Sequence, residues 1–284
     1  MVDSACLIKG AVWLIYTAWY VYMTILKVFS LDRIIASAVC LLSGLLLPGI
    51  SFAAGACQAP GIHVQVLGSG GPELDDERAS SGYLVWQDGR ARVLVDMGAG
   101  SLLRYEQAGA SIEDLYAILL THLHVDHSAD LPALVKASFF SGRSVDLPVY
   151  GPTGNRLMPA TAAFLQALFD EGSGAWRYLG SYLTGEDDYR LYAVEVSVED
   201  KTKQREFDQD GLRFSAVPVH HGPIPALAWR VDIAGQALVF SGDGDHRDIQ
   251  GLFQLPQVLK IAVLGVGEVI VIGQKTIRLA EAGV

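Results

Sequence analysis

The chain has 284 residues, 51% of them hydrophobic, with 31 acidic against 21 basic side chains and a net charge of −10. That length permits one large domain or two small ones with a substantial core. The acidic balance excludes a broad electrostatic nucleic-acid surface, which needs clustered Lys and Arg, and leaves open only a local basic patch. All three cysteines, Cys6, Cys40 and Cys57, fall in the first fifth of the chain, so neither a disulfide framework nor a cysteine zinc site follows.

Residues 1–56 read as a leader, separate from the fold over residues 57–284. Ala11 to Leu26 is apolar and aromatic-rich, Ile34 to Ala56 carries no charge, and Lys27, Asp32 and Arg33 lie between them. A charge-free run of about 20 residues can span a bilayer. The second run also has the form of a secretory signal, with a basic flank, a Leu-rich centre and the small residues Ser51-Phe-Ala-Ala-Gly-Ala56. Three arrangements fit. One is a signal peptide starting near Met23 and cut after Ala53 or Ala56. Another is a lipoprotein-type site at Ala54-Gly55-Ala56-Cys57, and the third is a two-span transmembrane hairpin. Each predicts an exported (periplasmic or secreted) or membrane-anchored protein, with the membrane as partner of the leader.

Alternation over Gly61 to Leu67 predicts a strand, followed by a tight turn at Gly68-Ser-Gly-Gly-Pro72. Ser81 to Trp86 and Ala91 to Val95 read as paired strands, joined by the hairpin signal Asp88-Gly89. Asp96 ends that hairpin, and residues 101–109 read as a short helix. Ser111 is placed to cap the next turn. The apolar run Leu115 to Leu120 reads as a buried strand. It leads into Thr121-His122-Leu123-His124-Val125-Asp126-His127, which holds three of the chain's seven histidines and one carboxylate. Continued extension places His122, His124 and Asp126 on one face, and helical spacing follows over Ser128 to Phe140. Imidazole and carboxylate are both zinc ligands, so the turn can supply two neighbouring metal positions.

Further along, Leu147 to Tyr150 is a short strand, followed by Gly151-Pro-Thr-Gly154 and a helical pattern over Pro159 to Phe169. Residues 170–185 read as loop, Tyr192 to Val198 as a strand, and residues 199–210 as a charged, solvated edge. Phe214 to Val219 is a strand that delivers His220-His221-Gly222-Pro223. Strands at Trp229 to Ile233 and Ala237 to Phe240 then deliver Ser241-Gly242-Asp243.

The pattern H-x-H-x-D-H after an apolar strand resembles the signature of the metallo-β-lactamase-fold hydrolases, and its surroundings resemble the ribonuclease Z-like branch. The resemblance covers about residues 61–243. It implies an α/β (α+β) fold, an αββα sandwich with a truncated or divergent C-terminal part. It implies metal ligation by His122, His124, Asp126, His127, His221 and Asp243, with Asp96 beneath the site orienting ligands. Asp126 doubles as the catalytic residue orienting water, and His220 lines the pocket. The implied cofactor is one or two Zn²⁺, with Mn²⁺ or Fe as alternatives. The implied activity is hydrolysis of a phosphodiester or related ester by a metal-activated water, as in an endonuclease or phosphodiesterase. The leader and the acidic charge favour a small exported ester or phosphodiester over tRNA, and the resemblance allows a homodimer. After Asp243 only one histidine follows, His246, too near to match the family's late ligand. A degenerate, non-catalytic, membrane-associated protein is therefore the alternative.

Overall fold

The computed structural model describes residues 60–199, 205–209, 211–244, 260–264, 268–272 and 279–281. All lie in a compact unit spanning Ala53–Val284. The leader expected over residues 1–56 and the residue His246 fall outside the described residues. Among these, no helix is long and apolar enough to cross a membrane.

Two sheets form the unit. The first contains β1 (Ile62–Gly68), β2 (Gly82–Gln87), β3 (Arg90–Val95), β4 (Ala117–Leu119), β5 (Leu147–Pro152), β6 (Leu191–Val196) and β13 (Leu279–Glu281), in the order β13-β1-β2-β3-β4-β5-β6. The second contains β7 (Arg205–Gln209), β8 (Leu212–Val219), β9 (Ala226–Ile233), β10 (Gln236–Gly242), β11 (Lys260–Leu264) and β12 (Glu268–Ile272), in the order β12-β11-β10-β9-β8-β7. Strands β3 to β6 run parallel, so their C-terminal ends share one edge.

Neighbouring side chains on a strand point to opposite faces, and β2 shows what each face buries. Tyr83 and Val85 face the second sheet, where they join Phe214, Leu227, Trp229, Val231 and Phe240. Leu84 and Trp86 face outward and pack with Tyr105, Leu131, Leu134, Leu165 and Phe169. Strands covered on both faces read as continuous apolar runs rather than alternating ones. The outer residues come largely from α1 (Ser101–Gln107), α2 (Val125–Ser128), α3 (Leu131–Ser138), α4 (Thr161–Phe169) and α5 (Ser181–Thr184). The hairpin at Asp88-Gly89 forms as expected, with φ of 51° and 77° and Gln87 opposite Arg90, the primed-turn conformation that matches strand twist.

Four expectations change. The helix after the histidine cluster begins at Val125 and restarts at Leu131. Pro132 lacks the N–H that would continue it, and proline is tolerated only in a first turn. Asp126 and His127 therefore sit on a helical turn, and the shared extended face extends only to His122 and His124. The stretch 170–185 contains a 3₁₀ turn at Arg177–Leu179 and then α5, which ends at Gly185 with φ 81°. The charged segment 199–210 contains β7, whose Phe207 ring packs against Tyr150 at 5.0 Å while Glu206 and Asp208 stay exposed. Charge on one face had hidden that alternation. The tail also joins both sheets: β11 pairs parallel with β10, β12 pairs with β11, and β13 pairs parallel with β1.

Candidate metal centre

The candidate residues converge at the edge where β4, β8 and β10 end. Two hydrogen bonds clasp the sheets directly beneath them. The Trp229 indole N–H donates to the Leu120 carbonyl at 3.0 Å, and the Leu227 N–H donates to the Thr121 carbonyl at 2.8 Å. Strand β8 then brings up His221, and β10 brings up Asp243. Gly242 precedes it at φ 54°, with its Cα so close to Thr121 that a Cβ would lie 2.7 Å from the threonine Cβ. Only glycine suits that turn and that approach.

Asp96 anchors the centre. It is fully buried and its φ is 55°, a left-handed backbone that costs a non-glycine residue about 1–3 kcal/mol. In that conformation its carboxylate accepts the Thr121 N–H and the Thr121 hydroxyl, both at 2.7 Å, and Nδ1 of His127 at 2.8 Å. It does not cap α1, whose N-cap is Gly100. Because the Thr121 hydroxyl donates to Asp96, it can only accept from Nδ1 of His122, 3.1 Å away. Both His122 and His127 are thus protonated on Nδ1, and Nε2 of each faces inward. A histidine held through one nitrogen by a carboxylate or its relay is the arrangement that orients metal ligands. Thr121 carries this relay, although composition and spacing singled out no role for it; its place directly before the cluster was the available signal.

Two donor groups result, sharing His122: His122, His124 and His221, and His122, His127 and Asp243. In the first, Nδ1 of His124 lies 3.1 Å from Nε2 of His122 and 3.3 Å from Nε2 of His221. A tetrahedral ion with bonds of about 2.0–2.1 Å requires ligand atoms about 3.3 Å apart, so the nitrogens fit. In the second, Oδ1 of Asp243 is buried without a hydrogen bond, 3.3 Å from Nε2 of His127. Oδ2 of Asp243 lies 3.8 Å from Nε2 of both His122 and His221. Asp243 thus faces both groups. Asp126, on α2, borders the second group with Oδ2 3.6 Å from Nε2 of His127. His220 is exposed and belongs to neither group.

The two groups differ in charge. Burial, reinforced by the His127 charge, pushes the His122 pKa down to about 2, and burial also lowers that of His221. Burial acts the same way on His127, but the Asp96 and Asp243 carboxylates outweigh it and lift its pKa to about 10. Burial opposes ionisation of Asp243, and its contact with His127 prevails, bringing it down to about 2.

With this geometry established, a sequence model of the metallo-beta-lactamase superfamily matches residues 75–278, well over half of the chain. The chain belongs to that superfamily. The match takes in β11 and β12, so the superfamily pattern continues beyond Asp243. Among curated proteins, ribonuclease Z of Mycobacterium avium is 34% identical over 186 residues, covering 64% of this chain and 62% of that protein. Ribonuclease Z of Mycobacterium bovis is 30% identical over the same 64% of the chain. The chain spans under two thirds of the length of these relatives. The crystal structure of the short form of human tRNase Z is similar at 20% identity and a TM-score of 0.48, over 66% of this chain and 72% of that one.

Proposed function

We propose that this superfamily member is a metal-dependent hydrolase of phosphodiester or related ester bonds. The observation that carries this reading is the pair of donor groups, one of three nitrogens and one of mixed nitrogen and carboxylate, that share His122 and both face Asp243. Three imidazole nitrogens suit zinc, whereas the His122, His127 and Asp243 group, bordered by Asp126, suits zinc, manganese or iron. Metal held there supplies Lewis acidity towards an ester oxygen and a water made acidic enough to react near neutral pH.

The chain's own residues supply the rest. Asp243 keeps the two groups in register, and Asp96 and Thr121 hold the His127 and His122 rings with Nε2 inward. Asp126, 94% buried and on the first turn of α2, is placed to orient the attacking water and to accept its proton. A phosphodiester is the first substrate to test because the curated relatives carry the name ribonuclease Z. We also infer export or membrane anchoring, on the charge-free run Ile34 to Ala56; fractionation of cells expressing the full chain, with the protein in the soluble cytoplasmic fraction, would overturn that.

The deciding experiment is metal content by plasma mass spectrometry, with bis(p-nitrophenyl) phosphate turnover measured in parallel. Close to two metals per chain, and turnover lost in His122→Ala, is the expected result. One metal or none, with no turnover, would instead support a non-catalytic scaffold.

A further inference from the structure

The edge opposite the metal centre carries a second feature. Strand β1 runs antiparallel to β2, and β2 antiparallel to β3, so β1 points the same way as the parallel set β3 to β6. The starts of β1 and of β3 to β6 therefore share the edge remote from the ligand turn. Two helices run towards it. α3 follows the ligand turn and ends before β5. α4 starts beside the end of β5, where the Thr161 hydroxyl donates to the Pro152 carbonyl at 2.9 Å. At its far end the Trp176 N–H donates to the Leu168 carbonyl at 2.7 Å. The two helix ends meet there: the Ser138 and Tyr189 hydroxyls share a hydrogen bond of 2.8 Å, and the Tyr189 ring packs on Tyr182 with centroids 4.9 Å apart.

Around this junction the chain exposes aromatic rings. Phe139 is 59% exposed, Phe140 80%, Trp176 39% and Tyr178 65%, and Val145, two residues before β5, is 64% exposed. Among the described residues no other Phe, Tyr or Trp is exposed. Single exposed apolar residues are normal, whereas a gathered set marks an interaction surface. Cations accompany the rings. Nζ of Lys136 lies 4.2 Å from the Phe139 centroid and 5.2 Å from that of Phe140, and the exposed Arg177 stands between Trp176 and Tyr178 in the chain. Aromatic rings beside Lys or Arg suit a membrane–water interface, with the rings at headgroup level and the cations reaching into water.

The chain also enters the fold at this edge. Ile62 opens β1, and only residues 57–61 separate it from Ala56, the end of the charge-free run. Fully extended, that tether reaches at most about 20 Å. We propose that this edge docks on a lipid bilayer, with Phe139, Phe140, Trp176 and Tyr178 inserted at headgroup level and the metal centre facing away from the membrane. Asp146, Glu186 and Asp188 are exposed near the same edge. Ring insertion, rather than attraction to anionic lipid, therefore holds the contact, and neutral phosphatidylcholine suffices. The inference rests on the membrane-anchoring reading above, and the test separates the two.

The full chain is bound to phosphatidylcholine vesicles and its hydrogen exchange is followed by mass spectrometry, for wild type, the double variant Phe139→Ser with Phe140→Ser, and the double variant Phe139→Trp with Phe140→Trp. Peptides over residues 136–146 are expected to exchange about tenfold more slowly in wild type than in the serine variant. The tryptophan variant restores the protection, added salt leaves it unchanged, and residues 153–159 at the metal edge exchange alike in all three. Unchanged exchange over β2 to β4 verifies that the variants fold. A chain held on vesicles with equal exchange over residues 136–146 in wild type and serine variant would overturn the docking and leave anchoring standing. A chain that stays off the vesicles would overturn both. Protection that needs anionic lipid or vanishes with salt would overturn ring insertion. Protection that persists without vesicles, in a dimer seen by light scattering and lost in the serine variant, would give the edge to a second copy of the chain instead.

Discussion

His122 and His127 lie five residues apart with ring centroids 4.0 Å apart, both almost fully buried, yet one is neutral and the other charged. Burial alone would make both neutral. The difference lies in what their nitrogens face. His122 meets a hydroxyl on one side and, on the other, the His124 and His221 rings with a single carboxylate, Asp243, at 3.8 Å. His127 lies between Asp96 and Asp243, with Asp126 nearby. In the metal-free protein a proton on His127 thus occupies the place of a cation, while burial keeps His122 and His221 in the other corner from taking one up. Ligand identity is similar in the two corners, and the carboxylates around them set the readiness of each.

Removing the shared ligand should erase the contrast. His122→Ala is expected to empty both corners of metal and to lower kcat by on the order of 10³-fold; metal analysis that still finds one tightly held ion would show the corners to be independent. Asp96→Asn should act mainly on the His127 corner, because its effect on the shared His122 passes only through Thr121. It removes the charge that orients His127, and the expected loss is about 10–100-fold in metal affinity there, with the three-histidine corner little changed. Two-site calorimetry reads the two affinities separately.

Protons sharpen the comparison further. At pH 7.5 metal entering the His127 corner should release about one proton, because that ring stays protonated up to about pH 10, and metal binding to His122 and His221 in the other corner should release fewer, because burial lowers both of their pKa values. Calorimetry in buffers of different ionisation enthalpy counts them; equal release at both corners would contradict the charge assignment.

The same pair governs metal-free stability. The His127 pKa is raised above its ordinary 6.5, so its contribution is complete below pH 6.5 and disappears as pH climbs towards 10. The His122 pKa is depressed, so the unfolded chain takes up its proton first and stability falls as pH drops below 6.5. The pair should therefore place a melting-temperature maximum near pH 6.5 in chelator, and the maximum should flatten in Asp96→Asn. The smallest effect is Thr121→Val, which strips the relay hydroxyl and leaves Asp96 one donor short, at about 1–3 kcal/mol in urea unfolding.

Much of the candidate centre was legible because its donor residues are local. H-x-H-x-D-H concentrates four donors after one apolar strand, and His221 and Asp243 each end a strand of clear alternation. Expecting His122, His124 and Asp126 on one extended face was half right, since helix geometry takes over at Val125. The fold was legible where apolar runs bury both faces of a strand. It was obscured at β7, where exposed Glu206 and Asp208 mask the packing of Phe207, and in the tail, whose strands find partners far away in sequence.

By itself the sequence determined the donor types, their order and the strands that deliver them, because periodicity and turn chemistry act over a few residues. Tertiary structure alone decided that Asp96, 25 residues from Thr121 and 31 from His127, holds one ring charged. It alone tied Ser138 to Tyr189, 51 residues away, setting the exposed aromatics around them at the edge opposite the metal centre. Such contacts follow from sheet order and strand direction, and sheet order is set by how two sheets bury their common face.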